Sequence, residues 1–470
     1  MGVVAGIDWA SDKHDALVQD ADGKVLWQGT VAHTEDGICR LCTRLCSLGV
    51  ARVAIERPDG LLVERLLDAG LVVLALHPNQ VKAARPRFSV AGGKSDRFDA
   101  MVLCELARTD DHRFRALTPD RDATKALRAL TRGRGELLDA RIALCNQLRA
   151  ELERCWPGAN AAFCDLHRQI ALAFLERWPT GHDARRLSER QLAAFLARQH
   201  YSGRRSPATL LALLRHAASG RAGESEISAR RQIVLALVAA LRVIVARIAV
   251  LEREIAAAVR AHPDGPIFLA PFRDPHSTLT AAILLAEIGD QRSRYPHHDA
   301  LAGDGGMSAV AVESGKRKVA SFRRACDHRL RDALCTLADA TRHHNPWARR
   351  LYRDARARGH DHQRAIRTLG RAWCRVLSRS WQDRIPYDPE RHRALQQQLA
   401  VCDNTTTQIA TLPADLPAHP IVGPRPDLTD TPAARPSPVT RQGGPPGPSA
   451  KRLTGDARAA TRPHHQHTRG

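Results

Sequence analysis

The order of apolar stretches in the first hundred residues is the feature that most limits the fold. "VVAGIDWA" (3–10) is a run of strand formers, and "HDALVQDADGKVLWQGTVAH" (14–33) reads as a hairpin around Asp22-Gly23, a strong turn dipeptide. A helical stretch through Leu48, the strand "RVAIE" (52–56), a helix over 60–70 and the strand "LVVLAL" (71–76) follow. Pro78 opens another helix, and a further one runs from Ser95 to Ala107. Three strands joined by hairpins, then strand–helix alternation, predict a mixed sheet with flanking helices: an α/β domain over residues 1–112.

Beyond residue 120 the periodicity turns helical. "TKALRALTRGRGELLDARIALCNQLRAELERCW" (124–156) is long and amphipathic, and Val234, Leu237, Leu241, Ile244, Ile248, Leu251 and Ile255 recur at helical spacing. That pattern predicts a coiled coil or a long antiparallel pair, and it leaves open whether the partner helix belongs to the same chain. Short helices over 186–199 and 207–217 form a cap, giving a mostly α coiled-coil and dimerisation region over 120–262. A basic, mostly helical domain is expected over 263–392. The remainder, 393–470, has no aromatic residue, and 12 of the 27 prolines lie in 413–470, which predicts a disordered, Pro-rich cationic tail.

Charge separates these regions by task. The chain carries a net +21, which favours a polyanionic partner, nucleic acid before membrane. Residues 1–112 hold 13 Lys/Arg against 16 Asp/Glu, whereas 313–384 hold 19 against 7. An acidic module followed by a basic one suits chemistry in the first and polyanion gripping in the second. Eleven cysteines without a regular framework fit a reducing compartment. Cys39, Cys42 and Cys46 share a helix face, and core packing is expected of them rather than zinc binding with His33. With no signal sequence and no uninterrupted apolar run of membrane length, a soluble, cytoplasmic and nucleoid-associated protein is expected.

Within the acidic module, four carboxylates stand out. Asp8 lies in an apolar strand and Glu56 ends another, positions where a charge is costly unless compensated. In "GGKSDRFDA" (92–100), Asp96 and Asp99 lie three apart, neighbours on one helical surface. Taken alone, that pair is explained by a solvated helix start against the helix dipole. If the two strands are neighbours, all four acids meet at one sheet end, a donor set suited to Mg²⁺ or Mn²⁺. Two such ions would clamp the attacking and leaving oxygens of a phosphodiester.

"GIDWA", "AIERPDG", "LHPNQVKAARP" and "GGKSDRFDAMVLCELA", in this order, resemble the RuvC-like nuclease domain of the insertion sequence 110 family of transposases. The likeness runs over roughly residues 3–392, all but the tail. It implies an RNase H/RuvC-like fold, with the family's Asp-Glu-Asp-Asp metal ligands falling on Asp8, Glu56, Asp96 and Asp99. "AVESGKRKVASFRRACDHRLRDAL" (311–334) holds Ser314 among Lys316, Arg317, Lys318, Arg323 and Arg324. On its residues alone this reads as a serine turn beside a phosphate-binding patch. It resembles the family's second domain, which implies that Ser314 is the nucleophile and Lys316 a phosphate contact. Lys94, Arg349 and Arg350 are further candidate nucleic-acid contacts.

The resemblance implies a site-specific DNA recombinase acting on donor and target DNA. A structured non-coding bridge RNA would guide it, and a homodimer or homotetramer would carry composite active sites, with no membrane involved. A hydrolytic junction endonuclease would use the same acids without Ser314, and an inactive nucleic-acid-binding remnant would use neither. A tyrosine recombinase fits poorly: Tyr201, Tyr295, Tyr352 and Tyr387 are the only tyrosines, and Tyr387 lies in a Pro-Tyr-Asp-Pro turn.

Overall fold

Gly6, midway along strand β1 (Val3–Trp9), has no room for a side chain. A Cβ there would lie 2.2 Å from the Ala100 carbonyl oxygen and 2.3 Å from the Cys104 nitrogen. Helix and strand backbones therefore touch, and this contact organises the N-terminal domain of the computed structural model. The structure describes residues 2–89, 95–216, 222–273, 277–314 and 317–397; for 312–314 and 317–320 it describes the backbone only.

Five strands form one sheet in the order β3-β2-β1-β4-β5. β1, β2 (Lys13–Gln19) and β3 (Val25–Ala32) make an antiparallel meander. β4 (Val50–Ile55) and β5 (Val72–Ala75) add in parallel beside β1. One face is covered by α1 (Glu35–Ser47) and α2 (Leu61–Asp68), whose Ile38, Leu41, Leu45, Leu62 and Leu66 pack on Ala5, Ile7, Val18 and Val53. The other face is covered by α3 (Pro78–Phe88) and α4 (Asp96–Thr109), burying Val81, Val102 and Leu103 against Val4, Leu17 and Leu74. This is the mixed sheet with flanking helices expected of an RNase H/RuvC-like domain.

The expected core role of the α1 cysteines is not met: Cys39 and Cys46 are exposed and Cys42 is half-buried. Ile38, Leu41 and Leu45 occupy the core stripe, and the thiols lie beside it, where Cys42 and Cys46 reach the carbonyls of Arg65 and Ala69. His33 is held by His14, 2.8 Å between Nδ1 and Nε2.

Among the described residues, the rest of the chain is mostly helical. α5 (Asp122–Cys155) and α10 (Glu224–Ala261) lie side by side. Arg134 pairs with Glu252 at 2.6 Å and Arg230 with Glu151 at 2.7 Å, a crossed order that makes the pair antiparallel and intrachain. The question left open by the periodicity is settled in that form. By length and composition alone α10 would pass for a membrane span, but it is one arm of this hairpin.

At the far end of the hairpin, α6 (Pro157–Ala162), α7 (Gln169–Arg177), α8 (Glu189–Arg198) and α9 (Pro207–His216) enclose Trp156, Phe163, Phe174 and Phe195. At its root, Leu127, Ile255 and Val259 join a second core. That core is built by α11 (Gly265–Leu269), α12 (Thr278–Ile288), α13 (His298–Asp304), α14 (His328–His344), α15 (Pro346–Ala357) and α16 (His362–Asp383). A two-stranded hairpin, β6 (Ala309–Ser314) and β7 (Arg317–Phe322), leaves this core between α13 and α14. The expected disorder of the tail falls outside the described residues, save for 393–397, where the expectation is not met: these residues continue a helical stretch that begins at 389.

Root and N-terminal domain are joined by charge. Arg132 grips Glu287 of α12 through two hydrogen bonds of 3.1 and 2.8 Å and also reaches Asp59, 3.1 Å away, between β4 and α2. Glu287 is buried, so its charge is tolerated because a forked guanidinium answers it.

Candidate nuclease site and basic hairpin

β1 and β4 are hydrogen-bonded neighbours with Ile7 opposite Ile55, so the next residues, Asp8 and Glu56, emerge side by side at one sheet end. Asp8 is the last residue but one of β1, and Glu56 is the first residue past β4. α4 runs antiparallel to β1, with Cys104 over Val4 and Ala100 over Gly6. Its first turn therefore reaches the same end. Ser95 caps that turn by accepting from the Phe98 amide, and Asp96 and Asp99 sit in it, favoured by the helix dipole.

The two helical acids have different surroundings. Asp99 is 3% exposed and accepts a side-on fork from Arg85 of α3, Nε to Oδ1 at 2.6 Å and Nη2 to Oδ2 at 2.8 Å. The same guanidinium approaches Glu56 Oε1 at 3.8 Å. Asp96 is half-exposed and faces Lys13 at 3.5 Å. Asp8, Glu56 and Asp99 thus lie at the same sheet end, with Arg85 linking the last two, while Asp96 stands at the rim. Sequence reasoning missed Arg85 and Lys13. It also missed Asp15, which lies opposite Asp8 on β2, is 5% exposed and accepts the Thr30 hydroxyl at 2.6 Å. Alternation along "KHDALVQ" puts Asp15 on the α4 side with Leu17 and Gln19, the one signal available.

Donor chemistry and side-chain geometry say different things about a metal. Carboxylate oxygens alone suit a hard divalent cation. Among the described residues, however, no three His, Cys, Asp or Glu groups gather closely enough to hold an ion. Instead, the cation that bridges Asp99 and Glu56 here is a guanidinium.

Next to the site, on the opposite sheet face, Trp9 stacks on His14 and carries Arg57 over its ring at 3.9 Å. His14 is fully buried, and burial together with the neighbouring His33 lowers its pKa to about 4, so the ring is neutral at physiological pH.

In the basic module, Ser314 ends β6 and is paired in register with Arg317, the first residue of β7. The side chains of Ser314, Arg317 and Lys318, and the whole of Lys94 and Lys316, lie outside the described residues. Arg323 and Arg324 follow β7 on an exposed stretch. Phe322 at the foot of the hairpin is covered by Arg367 of α16, 3.8 Å from its ring. Arg349 and Arg350 are exposed on α15, and Arg349 donates to the terminal carbonyls of α14 at Arg342 and His343.

A family model described as "Transposase" matches residues 5–157, and one described as "Transposase IS116/IS110/IS902 family" matches residues 276–353. The mini-circle IS117 transposase of Streptomyces coelicolor is 32% identical over 403 residues, 83% of this chain and 96% of that protein. The IS116 insertion-element protein of Streptomyces clavuligerus is 26% identical over 393 residues, 82% of this chain and 96% of that one. Among solved structures, T. thermophilus RuvC in complex with a Holliday junction substrate matches 25% of this chain and 100% of that chain, at 18% identity and a TM-score of 0.21.

Proposed function

The chain belongs to the IS110 family of transposases, and from that premise we propose that it cuts and rejoins DNA by a serine transesterification assisted by an acidic metal site. As a transposase it processes DNA. The finer reading assigns Asp8, Glu56, Asp96 and Asp99 as the carboxylates that hold Mg²⁺ or Mn²⁺, and Ser314 as the nucleophile. Bound there, the ion would lower the pKa of a hydroxyl and neutralise charge on a displaced oxygen.

This chain's own groups do the rest. The Ser314 hydroxyl oxygen bonds to phosphorus, the bond from phosphorus to a deoxyribose oxygen breaks, and the hydroxyl proton ends on that leaving oxygen. Reversal of the step with a new DNA end rejoins the strand. Lys94, Lys316, Arg317, Lys318, Arg323, Arg324, Arg349 and Arg350 hold phosphates of the DNA. The observation that carries the reading is the emergence of Asp8 and Glu56 from neighbouring parallel strands, with buried Asp99 laid against the same sheet end.

Two partners complete the proposal. A non-coding bridge RNA pairs with donor and target DNA, in keeping with the basic helices of the third module. A second copy docks on the α5–α10 hairpin, so that the serine hairpin of one subunit meets the acids of another. In support, Ile142 is 47%, Ile233 46% and Val243 62% exposed, and only 22% of the most apolar stretch of α10 is buried. The site of action is the chromosome in the cytoplasm. Recombination of matched donor and target DNA by the wild type, Asp8→Ala and Ser314→Ala tests the reading. Loss in both variants supports it, and continued cutting by Ser314→Ala means a hydrolytic endonuclease.

A further inference from the structure

Arg85 sits at the acidic sheet end, and the proposed chemistry leaves it without a task. It makes three contacts there. Nε and Nη2 donate to the two oxygens of Asp99 at 2.6 and 2.8 Å, and Nη2 lies 3.8 Å from Glu56 Oε1. Asp99 is almost completely buried, so its charge needs a partner at close range in every state of the protein. The fork engages both carboxylate oxygens, and a divalent ion binding the same carboxylate needs at least one of them. Each oxygen keeps a free lone pair, but a guanidinium and a divalent ion on one carboxylate are like charges a few ångströms apart, and their repulsion sets them in competition.

We propose that Arg85 is the standing counter-cation of the nuclease site: it holds Asp99 and Glu56 in place without metal, and a divalent ion enters only as the guanidinium yields its side-on grip on Asp99. The inference rests on the reading of Asp8, Glu56, Asp96 and Asp99 as the metal ligands. Its chemical logic is exchange of one cation for another, so the buried carboxylate never faces the protein interior unanswered. Arg85 acts through Asp99 and is thus a positioning residue. Once displaced, its five-donor fork is free for an anion beside the ion, and a DNA phosphate has that shape.

Removal of a competitor tightens binding, whereas damage to a structural contact weakens it, and this difference in sign makes the idea testable. Mn²⁺ binding to the full chain is measured by electron paramagnetic resonance for the wild type, Arg85→Gln, Arg85→Lys and Asp99→Asn, with thermal melts in chelator and in Mn²⁺. The expectation is that Arg85→Gln binds Mn²⁺ about tenfold more tightly than the wild type, within the usual range of coupling between two sites. It should also melt lower than the wild type in chelator and recover in Mn²⁺. Arg85→Lys, with a point charge in place of a fork, falls between them and carries the test if the glutamine variant does not fold. Unchanged or weaker Mn²⁺ binding in the Arg85 variants, with binding lost in Asp99→Asn, overturns the role of Arg85 alone. Binding that survives Asp99→Asn overturns the acid-site reading and this inference with it.

Discussion

Ile7 lies opposite Ile55 on parallel neighbouring strands, and this one register makes Asp8 and Glu56 leave the sheet together. A shift of one residue in β4 would turn Glu56 to the other face. The placement of the two acids therefore rests on a hydrophobic pairing, Ile on Ile, both fully buried.

Glu56→Gln keeps the shape of the side chain and removes its charge. DNA cleavage in Mg²⁺ should fall about a thousandfold, the scale of several kcal/mol that metal assistance supplies. Single-turnover cleavage of a labelled donor end measures it. Cleavage at the wild-type rate would remove Glu56 from the chemistry.

Gly6→Val should unfold or loosen the N-terminal domain. Its Cβ would meet the Ala100 carbonyl and the Cys104 nitrogen at 2.2 and 2.3 Å, both backbone atoms of α4 that cannot turn aside. The cost is about 3 kcal/mol or more, as for a severe overpacking. The urea midpoint of the purified protein reads it, and an unchanged midpoint would mean that α4 does not lie on β1.

His14 should make the protein acid-sensitive. Its folded pKa of about 4 lies below the unfolded 6.5, so the unfolded chain binds more protons between those values and stability rises with pH across that window. Falling from pH 7 to pH 5 should remove about 2 kcal/mol through this residue. Denaturant melts of the wild type and His14→Gln at both pH values check it; an equal pH slope in the two proteins would clear His14.

If two copies pair through the α5–α10 hairpin as proposed, Val243→Asp should weaken that pairing without disturbing the fold, since Val243 is 62% exposed on the chain by itself. A charge within an apolar contact costs about 2 kcal/mol, roughly thirtyfold in dimer affinity. Sedimentation velocity measures that change, with thermal melts as the control. Identical sedimentation of the two proteins would remove this face from the interface.

The mixed sheet was readable because its signals are local: alternation within each strand, Asp22-Gly23 at the turn, Pro78 at a helix start. Asp8 and Glu56 were readable for the same reason, as acids within or at the end of apolar strands. The unlike surroundings of Asp96 and Asp99 were not, because which member of a helical pair turns inward depends on how α4 sits on β1. Arg85 was illegible for a related reason: its bond to Asp99 joins two helices, and no pattern inside α3 sets one arginine apart from its neighbours. In α1 the periodicity was right and its assignment wrong, since Ile38, Leu41 and Leu45 outcompete the thiols for the core. The long amphipathic stretches left partner and direction open, and the ion pairs Arg134–Glu252 and Arg230–Glu151 decide both.

The most direct measurement is of the bond that joins protein to DNA. Full-length protein is incubated with donor DNA and Mg²⁺, denatured, digested with protease and nuclease, and searched by mass spectrometry for a peptide bearing a nucleotide. The account predicts the adduct on Ser314 in the wild type and no adduct in Ser314→Ala or Asp8→Ala. Cut DNA ends carrying no peptide, produced equally well by Ser314→Ala, would contradict it.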